Sequence, residues 1–427
     1  MHSGKYIFSQ VIEFVPRYEF EKLIKQYNGD FHTRDLSCYN QFLHLIFGQL
    51  TACNSLRDIC LCLKAHQKSL YHLGFRNTVN ESSLSRANER RDYRIFERLG
   101  CILIDIVRTM YSKEIVPYMY SQEYELFALD STTISCSIKL MEWALGKYSK
   151  GAVKMHTLID LRGSIPTFIC ITNGRYHDSN ILNIIEPVPN AIYTMDKAYV
   201  DFKELYNIDQ CGSYFITRAK DNIRYNITET NYNIDKETGL RGDYHIVLTG
   251  YKSSKLYPAE LRLVEYYDSE NDEDLTFITN NMDITALEIA DIYRNRWQIE
   301  VFFKWIKQNL TIKNLWGHSE NAVKTHLWIA ICAYLLVARI KATYDSPYTI
   351  TEVATLISVS ALEKADLREL LANPDLLSQN QNVNELTIFL KFIASVLFLK
   401  IKKRIVENYL QFWHKSIMPL IWSFATS

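Results

Sequence analysis

The 427-residue sequence is short of several features that would place it in a class at once. Cysteine is sparse, with 9 residues. Cys60 and Cys62 are only two apart, which is not a zinc-ligand spacing, and Cys38, Cys53, Cys101, Cys136, Cys170, Cys211 and Cys332 are scattered among apolar neighbours. The pattern argues against a disulfide framework or a zinc centre and for reduced thiols in a cytoplasmic protein. Charge of one sign is also lacking: 48 Lys and Arg balance 48 Asp and Glu. A nucleic-acid partner therefore gets no support from net charge and would have to be met by local basic patches. The most apolar runs, residues 328–337 and 392–399, fall short of the roughly 20 residues that cross a bilayer. They read as core helices, and no membrane partner is expected. In residues 1–20, Lys5, Glu13, Arg17 and Glu19 interrupt the apolar residues and no cleavage-like signal follows, so secretion is not expected. Neither an internal repeat nor a low-complexity tract is present.

What is there suffices for folding: 48% hydrophobic and 22% charged residues over this length predict two or three domains with their own cores. Residues 1–120 read as a helical domain, with apolar side chains such as Phe42, Leu45, Ile46 and Leu50 recurring at three and four. An amphipathic segment from Ser55 and a second from Glu81, separated by a short stretch with a turn glycine, form a possible helix-turn-helix for DNA. Ser82, Ser85, Arg86, Asn88, Arg90 and Arg91 would then reach a groove or phosphates. Because Glu81, Glu89 and Asp92 intervene, a solvated helix of mixed charge explains the same segment equally well.

The texture changes in residues 121–340. Residues 125–130 form a short apolar run ending in Asp130, the pattern of a buried strand that delivers an acid at its end. Residues 152–161 and 164–172 read as a hairpin across Arg162-Gly163, residues 191–196 as a strand ending in Asp196, and residues 213–220 as a fifth strand. A β-rich insertion occupies about residues 221–281. A long helix starts at a capping box, Thr285 with Glu288, and continues through Asn309. Residues 341–427 are patterned as helices, with a polar loop at 373–384.

On that long helix, Tyr293, Arg296, Glu300, Lys304 and Lys307 fall in a stripe roughly 80° wide at about 100° per residue, while Ile299, Phe302, Trp305 and Ile306 lie opposite. Taken alone the stripe could be an ordinary charged surface with Glu300 and Lys304 as an i,i+4 pair. Its spacing, however, Tyr293-x2-Arg296-x3-Glu300-x6-Lys307, resembles the full Tyr-Arg-Glu-Lys signature of the DDE transposases of bacterial insertion-sequence elements, in the group often called IS-four. Leu129-Asp130-Ser131-Thr132 resembles that family's first-aspartate motif and Met195-Asp196-Lys197-Ala198-Tyr199 its second. The resemblance covers roughly residues 124–337.

It implies an α/β ribonuclease H-like catalytic core, a mixed five-stranded sheet flanked by helices, interrupted by the β-rich insertion. It also implies a metal-dependent enzyme that cleaves and transfers DNA strands at the terminal inverted repeats of a mobile element. Asp130, Asp196 and Glu300 would be its catalytic and metal-holding residues. Two Mg²⁺ ions, replaceable by Mn²⁺, suit such a set, because carboxylate oxygens match a hard cation where His or Cys would point to zinc. By the same resemblance Tyr293, Arg296 and Lys307 would hold phosphates; read from their own positions, Lys304 on the same stripe, Arg218 and Lys220 at the end of the fifth strand, which a solvated strand end would also explain, and Arg86 and Arg90 in the helical domain are further candidate DNA contacts. The partner implied is double-stranded DNA, bound by a homodimer, in the cytoplasm. Lys154 and His156, on one face of the hairpin, and His177-Asp178 after it are secondary candidates. An inactive transposase-derived DNA-binding protein and a nuclease without strand transfer are the competing readings.

Overall fold

The computed structural model describes residues 4–111, 124–136, 143–144, 151–312 and 314–372. The three- and four-residue apolar spacing of the first part yields six helices: α1 (Ile7–Ile12), α2 (Arg17–Gln26), α3 (Cys38–Leu50), α4 (Leu56–Ala65), α5 (Glu81–Arg90) and α6 (Arg94–Tyr111). Serines start two of them. The Ser37 hydroxyl accepts from the Asn40 amide and the Ser55 hydroxyl from that of Asp58, satisfying amides that have no partner within the helix.

The strands follow: β1 (Glu125–Cys136), β2 (Gly151–Asp160), β3 (Ile165–Asn173), β4 (Ala191–Met195), then α7 (Phe202–Gln210) and β5 (Tyr214–Arg218). The insertion supplies β6 (Tyr225–Thr230), β7 (Leu240–Leu248), α8 (Ser253–Leu256), β8 (Leu261–Asp268) and β9 (Glu273–Thr279). Helices α9 (Ala286–Arg294), α10 (Trp297–Asn309), α11 (Glu320–Thr343), α12 (Ile350–Ser360) and α13 (Leu367–Leu371) complete the described chain.

The molecule is a mixed α/β structure, and its strands lie in one sheet of order β3-β2-β1-β4-β5-β9-β8-β7-β6. This corrects the expected five-stranded sheet with a separate insertion. β9 pairs antiparallel with β5, with Ile216 opposite Thr279, so the insertion extends the same sheet to nine strands. Alternation marks a segment as a strand but does not encode its neighbour. Here the insertion covers the edge of β5, whose amides and carbonyls would otherwise be open to pairing with other chains.

The β2–β3 hairpin turns through two left-handed residues, Gly163 (φ 71°) and Ser164 (φ 55°). A Cβ at Gly163 would lie 2.5 Å from the Tyr111 ring, so a larger residue would push α6 off the turn. The turn is also bonded to the helices behind the sheet: the Ser164 hydroxyl donates to Gln298 Oε1 (2.7 Å) on α10, and the Tyr334 hydroxyl of α11 donates to the Ser164 carbonyl (3.2 Å).

Parity along the strands sorts side chains between two apolar clusters. Leu126 and Ala128 of β1, Ile192 of β4 and Ile216 of β5 pack with the helices, including Ile299, Phe302 and Ile306 of α10 and much of α11. Phe127, Leu129, Tyr193, Met195 and Phe215 face the other way, onto Leu205 and Ile208 of α7. Helix α11 is long and apolar enough to cross a membrane, yet 89% of its most apolar window is buried inside the protein, against α3, α5 and α6. The run at 328–337 is thus a core helix. The run at 392–399, the polar loop at 373–384 and most of the expected C-terminal helical region lie outside the described residues.

Helices α4 and α5 form where the amphipathic segments predict them, but two of the expected DNA-facing residues hold the fold. Asn88 is buried and accepts from Gln41 (2.7 Å). Arg91 donates to the Gly29 carbonyl (2.7 Å), to Gln41 (2.8 Å) and to the Leu36 carbonyl. Ser82, Arg86 and Arg90 are exposed.

Candidate active site

Register brings the two aspartates together. On the neighbouring parallel strands β1 and β4, Leu129 stands opposite Met195, so Asp130 and Asp196 are the next residues along, with backbones roughly 5 Å apart. Met195 also stands opposite Thr217 of β5, which puts Arg218 next in the same row. Parity then points all three to the helical side of the sheet. Asp130 continues the series Leu126, Ala128; Asp196, still extended (φ −77°, ψ 162°), continues Ile192, Thr194; and Arg218 follows Ile216. One expectation needs adjusting. Asp130 does not end its strand, because β1 continues to Cys136 along β2; it stands where the shorter β4 stops.

The helical side delivers Glu300. The expected single helix is two, α9 and α10, joined at Asn295–Arg296. At the joint the amides of Arg296, Gln298 and Ile299 bond back three residues rather than four, and Asn295 Nδ2 donates to the Asp291 carbonyl. This tight turn breaks the predicted stripe into parts with different surroundings. Tyr293 turns inward: it is 7% exposed, its ring 4.7 Å from that of Phe277, and burial first of all pushes its hydroxyl up to about 12. Arg296 crosses to the sheet, where one guanidinium nitrogen bonds Asp130 (2.9 Å) and another Glu300 (3.0 Å). Lys304 is exposed and Lys307 half-buried, farther along α10.

The electrostatics show a site with more negative charge than it has neutralised. Burial raises the Asp130 pKa above the usual carboxylate value; the Ser131 amide and Arg296 oppose this, while Glu300 and Asp196 add to it. For Arg296 burial disfavours the charge, but Tyr293, Asp130, Glu300 and Asp196 outweigh it and raise its pKa. All three carboxylates therefore act on the same guanidinium, whose Nε is buried without a partner among the described residues. The donor set is oxygen only, which fits a hard divalent cation. Among the described residues no three His, Cys, Asp or Glu side chains already surround a common point where an ion could sit, and the Arg296 guanidinium stands between Asp130 and Glu300.

The secondary candidates assemble on the opposite face. Ser131 pairs with His156 across β1–β2, so Lys154 and His156 point away from Glu300. Asp178 covers them: it accepts from Lys154 Nζ (2.9 and 3.0 Å) and from the Ser131 hydroxyl (2.8 Å), with His156 Nδ1 3.6 Å away. Burial works against the Asp178 charge, but the Lys154 and Ser131 hydrogen bonds prevail and lower its pKa. His156, fully buried, is pushed down to about 4 by desolvation and is neutral at pH 7. His177 is exposed. The anchoring role of Ser131 was missed by the sequence reading; its place directly after the first aspartate was the only signal. Gln298, which ties α10 to the hairpin turn, left none.

Arg218 pairs with Glu273 (2.5 Å), and Lys220 donates to the Val200 carbonyl (2.8 Å), next to the second aspartate's segment. Arg86, whose Nε bonds the Ser82 carbonyl, and Arg90 lie on α5, which packs against α4 and α11.

Comparison with known proteins bears on this geometry. A family model described as a transposase DDE domain matches residues 121–336, and one described as a domain of unknown function matches residues 3–76. A putative transposase of Sinorhizobium fredii, y4zB, is 32% identical over 212 residues, 49% of this chain and 59% of that protein. A probable transposase for insertion sequence element IS5377 of Geobacillus stearothermophilus is 31% identical over 215 residues, 50% of this chain and 55% of that protein. A putative transposase for insertion sequence element IS4SA of Synechocystis is 28% identical over 306 residues, 69% and 82% of the two chains. The chain thus spans somewhat over half the length of the first two relatives.

Proposed function

The chain belongs to the family of the transposase DDE domain, whose model matches residues 121–336, and we propose on that premise that it is a DNA transposase of a bacterial insertion-sequence element. In this reading it binds the element's terminal inverted repeats in the cytoplasm, cleaves a strand at each end and joins the freed 3′ end to a second phosphodiester. Its core is the ribonuclease H-like part of the sheet, β3-β2-β1-β4-β5 with α10, and residues 1–120 contribute to DNA binding.

The observation that carries the reading is the register of Asp130 and Asp196 on adjacent parallel strands, with Arg296 linking Asp130 to Glu300. We assign Asp130, Asp196 and Glu300 to hold divalent cations, two Mg²⁺ ions with Mn²⁺ as substitute. Bound there, such ions supply the positive charge that makes an attacking oxygen nucleophilic and steadies the leaving oxygen. The chain's own groups do the rest. The aspartates are placed rigidly by the sheet, whereas the Glu300 side chain is 60% exposed and free to adjust its rotamer. Arg296 neutralises part of the carboxylate charge and, once that charge is taken up otherwise, is positioned to turn to a DNA phosphate with its planar fork. Tyr293 supports the guanidinium from 5.7 Å beneath. Lys304 and Lys307 on α10, Arg218 and Lys220 at the end of β5, and Arg86 and Arg90 on α5 contact phosphates and position DNA without reading its sequence. Joining two ends in one complex calls for a homodimer.

The test is strand cleavage of the element's own ends with Mg²⁺ or Mn²⁺, followed by detection of joined products. Cleavage without joined products would leave a nuclease. DNA binding without cleavage would leave a transposase-derived binding protein.

A further inference from the structure

The cluster behind the first aspartate is costly for a purely structural device. The side chains of Lys154 and Asp178 are 18% and 23% exposed and that of His156 is fully buried, on a face of the sheet otherwise lined by Phe127, Leu129 and Tyr193. Ion pairs taken out of water recover little of the desolvation they cost, and apolar side chains of similar size commonly serve stability as well or better. Stability alone therefore does not account for the pair, and its place beside Ser131 points to what it adds.

Ser131 is the link through the sheet. Its hydroxyl donates to Asp178 Oδ1 (2.8 Å) on one face of β1, while its backbone amide donates to Asp130 Oδ1 (2.7 Å), whose side chain faces the other way. The residue whose amide orients the Asp130 carboxylate is thus itself tied down by Asp178. Lys154 holds Asp178 in turn, bonding both carboxylate oxygens (3.0 and 2.9 Å) and the Tyr176 carbonyl (3.3 Å). The second aspartate is reached from the same side. The turn that starts at Asp178 packs against the one at Lys197–Tyr199, where the Tyr199 amide donates to the Asp196 carbonyl (3.0 Å). Tyr199 is 1% exposed and lies in one apolar cluster with Leu129 and Met195; burial first of all raises its pKa, and Asp130 and Asp178 add to this. Its hydroxyl makes no hydrogen bond among the described residues, so the packing of its ring holds this turn.

We propose that Asp178, held by Lys154, is a positioning residue for the metal-holding aspartates: it acts through Ser131 on the carboxylate of Asp130 and through the packed turns on the segment of Asp196. The proposal rests on the active-site reading and names what sets the geometry of that site from behind the sheet. Groups of this kind orient a ligand oxygen without touching the cation, and their loss costs about 10–100-fold in metal affinity or activity. The requirement is an acceptor oxygen for Ser131 and Lys154 rather than a charge. Asp178 Oδ1 already accepts from both, and the single amide oxygen of an asparagine can do the same. None of these residues is among the phosphate contacts assigned above, so the cluster governs turnover and leaves duplex binding alone.

Three quantities measured side by side on the full chain test it: Mn²⁺ affinity from the electron paramagnetic resonance of the free ion, and kcat and KM for cleavage of a duplex carrying the element's end. Ser131→Ala, a small substitution that does not threaten folding, should weaken Mn²⁺ binding and lower kcat about tenfold each, with KM for the duplex unchanged. Ser131→Thr, which restores the hydroxyl, and Asp178→Asn, which keeps an acceptor oxygen, should behave as the unaltered chain. Asp178→Leu, which keeps none, should repeat the loss seen in Ser131→Ala; if it does not fold, Ser131→Ala and its rescue by Ser131→Thr decide. Unchanged Mn²⁺ affinity and kcat in folded Ser131→Ala would overturn the proposal, as would a rise in KM at constant kcat. Mn²⁺ binding that needs Asp130 and Glu300 but ignores Ser131→Ala removes this proposal alone, whereas no Mn²⁺ binding by the unaltered chain with DNA present removes the active-site reading and this proposal with it.

Discussion

Two aspartate–arginine pairs in the same sheet have opposite characters. In the insertion, Asp243 of β7 and Arg262 of β8 form a bidentate pair (2.8 and 2.9 Å), and the third arm of Arg262 bonds the Ile284 carbonyl (2.6 Å) just before α9. Burial opposes the Asp243 charge, but Arg262 and Asn231 overcome it, and its pKa is lowered. At the other site Arg296 touches Asp130 with one nitrogen, gives another to Glu300 and leaves Nε unbonded among the described residues, and the Asp130 pKa is raised. The first pair is complete and holds the insertion to the helices that carry Arg296 and Glu300. The second is incomplete because three carboxylates share one guanidinium, which is the condition of a site waiting for further positive charge.

The comparison can be broken most forcefully at the chemistry. Asp130→Asn, Asp196→Asn or Glu300→Gln should each lower strand cleavage at least about a thousandfold, roughly 4 kcal/mol of barrier, while Arg262→Met should slow it only in proportion to lost folded protein. Next comes stability. Removing one member of the complete pair leaves a buried charge, so Arg262→Met should cost about 3–5 kcal/mol in a urea titration. Arg296→Met removes the cation that Asp130 and Glu300 share, but both carboxylates are partly exposed and can be rehydrated, so it should cost about 1–3 kcal/mol, less than Arg262→Met. An effect below that of Arg262→Met is expected across the sheet, where Asp178→Asn loses charge-assisted bonds from Lys154 and Ser131 and should destabilise by about 1.5–3 kcal/mol.

Acid sharpens the contrast through opposite signs. Asp243 and Asp178 have lowered pKa values, so their contributions are present above the unfolded carboxylate value and are lost as pH falls through the folded one. Asp130 has a raised pKa, so its ionised form weakens the fold as pH climbs from the unfolded value through the folded one. Asp130→Asn should therefore raise the melting temperature at pH 7, by about 1 kcal/mol in stability, and lose that gain at pH 3. A drop in melting temperature at pH 7 would count against an overcharged site. The smallest effect belongs to Lys304→Ala, which should reduce the salt slope of DNA binding by about one counterion and leave stability unchanged.

Much of this site could be read from the sequence because its logic is local. The spacing of Tyr293, Arg296 and Glu300 and the short apolar runs before Asp130 and Asp196 are written in adjacent residues. What escaped depends on distant partners. Asn295 looks like any polar helix residue, so the turn that sends Tyr293 inward and Arg296 across to Asp130 left no trace in the periodicity. Asn88 and Arg91 looked like DNA contacts because their buried partners, Gln41, Gly29 and Leu36, lie about fifty residues or more away. The insertion read correctly as strands, but alternation could not show that β9 would join β5 and make nine strands of five. Lys154 and Asp178 were visible as polar residues, yet only the register across β1 and β2 puts Lys154, and with it Asp178, on the face opposite Glu300.

The most direct test of the central claim is Mn²⁺ binding to the intact protein, followed by the electron paramagnetic resonance of the free ion. The account predicts saturable binding by the unaltered chain, sharply weakened in Asp130→Asn and in Glu300→Gln and undisturbed in Asp178→Asn with its fold intact. Equal binding by all four proteins, or none by the unaltered chain with DNA present, would contradict it.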